Sequence, residues 1–347
     1  MAREKKRVTI STIARHLGLS VTTVSFALNN LGEQYGIADA TVKKIREAAR
    51  KLNYVPNAMA RSLRHQKSGI IGVIFPHLRN DWAHHIMDGM YDVLEKEGLV
   101  PFIVNHRDSP EQESREIDLL IQRRAEGIIC NPLADSTASY RRAIDNGVPL
   151  VFFGDTLEEL PEVSSAAWDP KDVSLAVQHL VDIGRKRIAY LGCNDRRLIT
   201  RARNDSVRMT LQKNGLSADT PHFILSNPGE AMAPKLTALF KVSRQPPDAL
   251  FTLYDDTAFD AIDILTRLGV SVPNDVAVAT LGDSKLAGPR GYNLTTVFAP
   301  VRDEGLQAAK IMVQLLKKPS GTPIHKLVPG GTLIIRGTTG GIAHSRT

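Results

Sequence analysis

From residue 68 onward, apolar runs too short for helices alternate with stretches of helical periodicity. GIIGVIF (69–75), VPFIV (100–104), EGIIC (126–130) and VPLVFF (148–153) are separated by helical patterns near 83–97, 111–124 and 137–146. The same alternation returns with RIAYLG (187–192), HFIL (222–225), DALFTL (248–253) and VAVATL (276–281). Its helical patterns lie near 171–183, 203–214, 231–242 and 258–268. Continuous apolar strands joined by helices demand a parallel sheet, because only a parallel sheet needs crossovers and has both faces covered. Two such halves predict two α/β subdomains, with ligand space at the carboxyl ends of their strands. At 347 residues the chain is too long for one core.

The first 68 residues are of another kind. They hold 13 Lys and Arg against 4 Asp and Glu, whereas the remaining chain holds 31 against 33. The whole basic surplus therefore sits in the first fifth of the chain, as in a nucleic-acid-binding module joined to a near-neutral partner. Within it, TISTIARHLGLSVTTVSFALNN contains two short helical patterns. Ile13, Ala14 and Leu17 make one apolar stripe, and Val24, Ala27 and Leu28 the other. Thr9 and Ser20 stand at the two N-cap positions and Gly18 supplies the turn. This is a helix-turn-helix pattern, whose second helix enters a DNA major groove. With its stripe turned inward, that helix presents Thr22, Ser25, Phe26 and Asn29, with Val21 at its start. A third helical pattern follows over 40–52, and LGEQYGIADA connects it.

TVSFALNN, the third helix, NYVPNAMARSLR and IIGVIFP together resemble the LacI/GalR (lactose-repressor/galactose-repressor) family of bacterial transcription regulators, essentially from end to end. The resemblance implies an all-α helix-turn-helix head and a periplasmic-binding-protein-like effector domain of two parallel-sheet α/β subdomains. The implied division is 1–55 for the head, 56–68 for a hinge helix, 69–167 with 297–324 for one subdomain, and 168–296 with 325–341 for the other. Thr9, Ser11, Ser20, Val21, Thr22, Ser25, Phe26 and Asn29 are the expected DNA contacts of the head. Asn57, Leu63 and Arg64 follow in the hinge, where the family pushes a leucine into the minor groove; a wedge of that kind bends DNA. The connection after the second helix is slightly longer here than is usual in the family.

The effector-binding candidates are carried over in the same way. Arg203 stands where the family has the arginine of its RxxGF helix start, although the Gly-Phe is lost. A surface salt bridge is the other reading for Arg203. Tyr254 and Asp255 replace a usual Asn-Asp, and the family's hydroxyl-binding aspartate position has become Gly282, with Asp283 next. Asp81 and Trp82 occupy the loop after the first strand, and Asp155 ends the VPLVFF strand. Trp82 suits a sugar ring or a core, and Tyr254 a ring, a hydroxyl or a core. With a carboxylate lost beside Arg196, Arg197, Arg201 and Arg203, a positive cleft and an anionic sugar derivative are expected.

Several classes are excluded. No GxxxxGK[ST], GxSxG or HExxH pattern is present, so no enzyme and no cofactor are expected. His84 and His85 are adjacent on a helix and point apart, which disfavours a shared metal ion. Cys130 and Cys193 lie in separate apolar contexts and are expected to be buried free thiols. No run of ~20 apolar residues suggests a membrane span. The charged start MAREKKRVTIST has no apolar segment behind it, so a cytoplasmic location is expected. A sugar-binding transport protein with the same core would carry a secretory signal and lack the basic head. The expectation is thus a regulator binding a palindromic operator as a homodimer, under control of a small polyhydroxylated effector.

Overall fold

The computed structural model describes residues 8–55, 67–78, 81–195, 197–218, 222–226, 230–318 and 321–340. It divides into two compact units, residues 1–68 and 69–347.

In the first unit, α1 (Ile10–Leu17), α2 (Val21–Leu28) and α3 (Asp39–Lys51) pack around Ile13, Ala14, Val24, Ala27, Ile45, Ala48 and Ala49. Thr9 closes a capping box with Thr12, each side chain taking the other's backbone N–H, which supplies partners for two donors that an α-helix start leaves open. Gly18 ends α1 at φ 66°, a left-handed conformation that glycine adopts without strain. Ser20 then caps α2 by accepting from the Thr23 N–H. The expected turn chemistry is therefore in place at each position.

The second unit holds two six-stranded sheets. The first runs β11-β5-β4-β3-β1-β2, from β1 (Ile70–Phe75), β2 (Val100–Asn105), β3 (Gly127–Cys130), β4 (Leu150–Phe153), β5 (Ser164–Trp168) and β11 (His325–Val328). The second runs β12-β10-β9-β8-β6-β7, from β6 (Ile188–Cys193), β7 (Phe223–Ser226), β8 (Ala249–Thr252), β9 (Ala277–Leu281), β10 (Thr295–Phe298) and β12 (Thr332–Ile334). All pairings are parallel except β10 with β12. The crossover helices bury both faces of the central strands, which is why LVFF and AVATL are buried at every position.

Three features depart from the sequence expectation. Val297 and Phe298, which the expected division assigns to the first subdomain, pair with β12 in the second sheet, and Val297 also with β9. Residues 325–328 pair with β5, so the chain returns to the second sheet only after Val328. β5 itself, SSAAW, was not read as a strand, because its small residues make no long apolar run.

The chain's return from the second sheet to the first fixes one further element. α4 (Asp81–Leu94) and α11 (Val301–Lys317) cross at near backbone contact. A Cβ on Gly89 would lie 1.9 Å from the Arg302 carbonyl oxygen, and one on Gly305 2.1 Å from that of Ile86. Only reciprocal glycines allow this approach. Arg302 adds ion pairs to Asp88 and Asp92. This docking holds Glu304, the neighbour of Gly305, inside the protein.

Candidate functional site

The head presents its second helix largely as expected. Val21 and Thr22 are exposed, as are Thr9, Ser11 and Ser20, and the hydroxyls of Thr9 and Ser20 serve as caps. Ser25 departs from the reading. It is 5% exposed, and Asn29, half-buried, donates to its backbone carbonyl at 2.7 Å. At 100° per residue Ser25 lies on the flank of the inward stripe, not opposite it. Phe26 is opposite the stripe yet half-buried, because the ring of Tyr35 in the following loop covers it. Asn57, Leu63 and Arg64 lie outside the described residues, as does Arg196.

In the second unit, the strand ends bring distant residues to one spot. α8 (Leu198–Lys213) begins five residues earlier than the sequence pattern suggests, so Arg203 lies in its second turn and not at its N-terminus. Asn204 locks this turn to β6: its amide donates to the Cys193 carbonyl, and its oxygen accepts from the buried Tyr190 hydroxyl at 2.6 Å. The Arg203 guanidinium then lies over Trp168, at the end of β5, 5.1 Å from the ring centroid. Asp155, just past β4, accepts from the N–H groups of Thr156 and Ile199 at 2.8 and 3.0 Å through one oxygen. The second of these bonds ties the first sheet to the start of α8.

Three buried polar atoms at this spot make no hydrogen bond: Arg203 Nε, Asp155 Oδ2 and Glu304 Oε1. Their ionisation reflects the enclosure. Burial raises the Glu304 carboxyl to about 8, with Arg203 and the N–H groups of Trp168 and Gly154 pulling it back. Burial raises Asp155 to about 6, against the N–H groups of Thr156 and Ile199 and the charges of Arg197 and Arg203. Burial also lowers Arg203. Charged groups cost least in such a place when they have partners, and unpaired polar atoms there call for a ligand or water.

Arg197 is engaged elsewhere. It binds Asp195 through Nε at 2.9 Å and Nη2 at 2.5 Å, and lies 3.4 Å from the Tyr254 hydroxyl. Arg197 is therefore paired with Asp195, and Arg203 lies in the field of Glu304 and Asp155. Glu304, Asp195 and Trp168 were all missed as members of this site. At Arg197 and Arg203 these carboxyl groups offset the positive charge expected from the sequence.

The remaining candidates are distributed. Tyr254 is half-buried against the second sheet's core, within reach of Arg197. Asp255 accepts from the Ser284 N–H at 3.1 Å, and its carboxyl faces Gly282, whose φ is +98°. It braces the turn where the family's aspartate is missing. Asp283 is ion-paired with Arg336 at 2.6 Å and accepts from Thr296. Asp81 accepts from the Lys285 N–H at 3.2 Å, a contact between the two subdomains. Trp82 packs edge-on to Phe75 and stacks on Phe153, 5.9 Å between centroids, so its ring is committed to the first sheet's core.

Among the described residues no group of three His, Cys, Asp or Glu could hold a metal ion, and no helix is long and apolar enough to cross a membrane. Cys130 is a buried free thiol, and Cys193 is free but only partly buried.

An all-α helix-turn-helix head followed by two parallel α/β sheets with polar groups at the strand ends defines a ligand-binding, DNA-binding regulator. Residues 9–57 match the model of the bacterial regulatory proteins of the lacI family, and residues 177–339 that of the periplasmic binding protein-like domain. The chain is 27% identical to the catabolite repressor/activator of Escherichia coli K12, over 94% of this chain and 96% of the relative. It is 28% identical to the HTH-type transcriptional repressor PurR of Vibrio parahaemolyticus, over 95% and 98%. A similar solved structure is the Lac repressor dimer bound to operator and the anti-inducer ONPF, with a TM-score of 0.81, 25% identity, and coverage of 96% and 99%. The chain belongs to the lacI family of bacterial transcription regulators. It is a regulator and not an enzyme, as are the relatives it matches along nearly its whole length.

Proposed function

We propose that the chain binds a palindromic operator as a homodimer, and that a small polyhydroxylated or sugar-derived effector at the strand ends of the second unit sets its DNA affinity. Residues 1–55 serve as the head, 56–68 as the hinge, and Leu63 as the minor-groove wedge. Such a regulator works in the cytoplasm, where its DNA is. The homodimer reading is supported by the edge strand β2, which leaves Val100, Phe102 and Ile103 exposed on an unpaired edge of the first sheet.

The effector reading rests on one observation, the three unsatisfied buried atoms around Trp168. A sugar hydroxyl both accepts and donates, so it can take the Arg203 Nε–H and give its own proton to Asp155 or Glu304. An anion at Arg203 would meet two carboxyl groups. A neutral polyol therefore fits better than the sugar acid that the arginine count alone favours.

Thermal-shift measurements on the full chain against neutral sugars, sugar acids and nucleobases test this. Stabilisation by a neutral sugar that is lost in Arg203→Ala supports the assignment. Stabilisation by a sugar acid alone, or stabilisation unaffected by Arg203→Ala, refutes it.

A further inference from the structure

α2, VTTVSFAL, carries no charged residue. It therefore cannot make the bidentate arginine–guanine contact that is the commonest base-specific pair in the major groove. What lies opposite its buried stripe is Thr22 and Phe26, with Val21, half exposed, at the helix start. A phenylalanine at the outermost position of a surface helix has no core to enter, and Phe26 does not pack with the three-helix core. Its ring is instead stacked on Tyr35, with centroids 3.8 Å apart and planes within 8°. Tyr35 is likewise outside that core and is 53% exposed.

The loop that carries Tyr35 is a built structure. Leu31 N–H bonds the Phe26 carbonyl, Tyr35 N–H the Leu31 carbonyl, and Ile37 N–H the Gly32 carbonyl, at 2.9, 3.2 and 2.8 Å. Gly36, at φ 65°, closes the turn, and Gly32 lies so near α3 that a Cβ would come 2.7 Å from Val42. Arg46 of α3 holds Asn30 at 2.7 Å. Five residues of turn are thus spent on holding one aromatic ring against the outer face of the helix.

We propose that Tyr35 is a specificity residue of the head: stacked on Phe26, it completes an uncharged aromatic surface that reads thymine methyl groups in the major groove. Apolar side chains discriminate thymine by its C5-methyl, the one apolar feature of the groove floor. The surface thus favours T·A steps under Phe26 and Tyr35, while the Lys and Arg residues of the unit supply affinity without sequence preference. This rests on the operator-binding reading above.

The test uses the full chain and duplexes selected from a randomised pool. Wild type is expected to select half-sites with thymine at one or two fixed positions, and Tyr35→Ala to lose that preference. Affinity for the selected duplex then falls roughly tenfold, and affinity for randomised duplex stays within about twofold. Tyr35→Phe, which keeps the stack, retains the selection. Replacing each selected dT by dU removes only the methyl; the loss in wild type should match that of Tyr35→Ala, and the two should not add. This substitution tests the proposal in wild type even if Tyr35→Ala unfolds, which circular dichroism reports. Unchanged selection by folded Tyr35→Ala, or tolerance of dU at every position, overturns the proposal. Failure of wild type to select any site instead overturns the operator-binding reading, and this inference with it.

Discussion

The two binding surfaces are built on opposite principles. The outer face of α2 is exposed and carries no ionisable group, although its unit holds the chain's entire basic surplus. The strand-end site of the second unit is enclosed and is built from ionisable groups, although its unit is near neutral. A surface that must slide over a polyanion can leave charge to its surroundings and keep its reading face neutral. A site for a small polar ligand needs strong, fixed donors and acceptors shielded from water. The contrast predicts that changes in the enclosed site are costly to stability and changes on α2 are costly only to DNA choice.

The largest effect is expected from Arg203→Ala. Removing this guanidinium takes away a charge that steadies the buried Asp155 carboxylate and leaves a hole over Trp168; weakening the pairing of a buried charge costs up to about 3–5 kcal/mol. Urea unfolding of the full chain at neutral pH should show a loss of this order in the second unit. A loss below ~1 kcal/mol would mean that the site is open to water and that the contrast is weaker than the structure indicates.

Glu304 gives the next largest effect, and it depends on pH. Its carboxyl is raised by burial to about 8, so the folded protein holds a proton that the unfolded chain releases near 4.5. This contribution to stability is fully present below about pH 4.5 and is lost as pH rises through 8. Glu304→Gln removes the dependence. At pH 9 the variant is expected to be more stable than wild type by on the order of 2–4 kcal/mol, and near pH 5 the difference should shrink. Parallel stability curves from pH 5 to pH 9 would show that Glu304 is already hydrated or paired.

On the head, Thr22→Ala is expected to change affinity at particular operator positions by roughly 1–3 kcal/mol and leave the melting curve unmoved. A loss of stability would place Thr22 in the fold and not on the reading face. Ser20→Ala should do the reverse, destabilising the head by about 1 kcal/mol through its lost cap. Base preference should be unchanged, which the same selection experiment reports.

What could be read from sequence follows the same division. The head was legible because one short helix decides which residues face inward: Val24, Ala27 and Leu28 are on its stripe by spacing alone. Ser25 lies on the flank of that stripe and is buried there, and Phe26 is half-covered by Tyr35, a neighbour nine residues away that periodicity does not see. The alternation of strands and helices gave eight strands, and did not register Ser164–Trp168, Thr295–Phe298, His325–Val328 or Thr332–Ile334, short segments rich in small or polar residues. The enclosed site was only partly legible. Arg203 and Asp155 were identified by position in the chain, but Glu304 looks like any acid in the first turn of a helix. Its burial is decided by Gly89 and Gly305, which let α11 approach α4, and no local pattern around Glu304 records that contact.

The claim that affinity and base choice are separated on the head is tested most directly by titrating the full chain against its selected duplex and a randomised one, from 50 to 300 mM salt. The expected result is that log affinity falls steeply with log salt for both duplexes, in near-parallel lines, because the released counterions come from phosphate contacts common to both. The ratio of the two affinities should persist across the range, carried by the uncharged face of α2. A salt-independent affinity, or a ratio that collapses as salt rises, would contradict it.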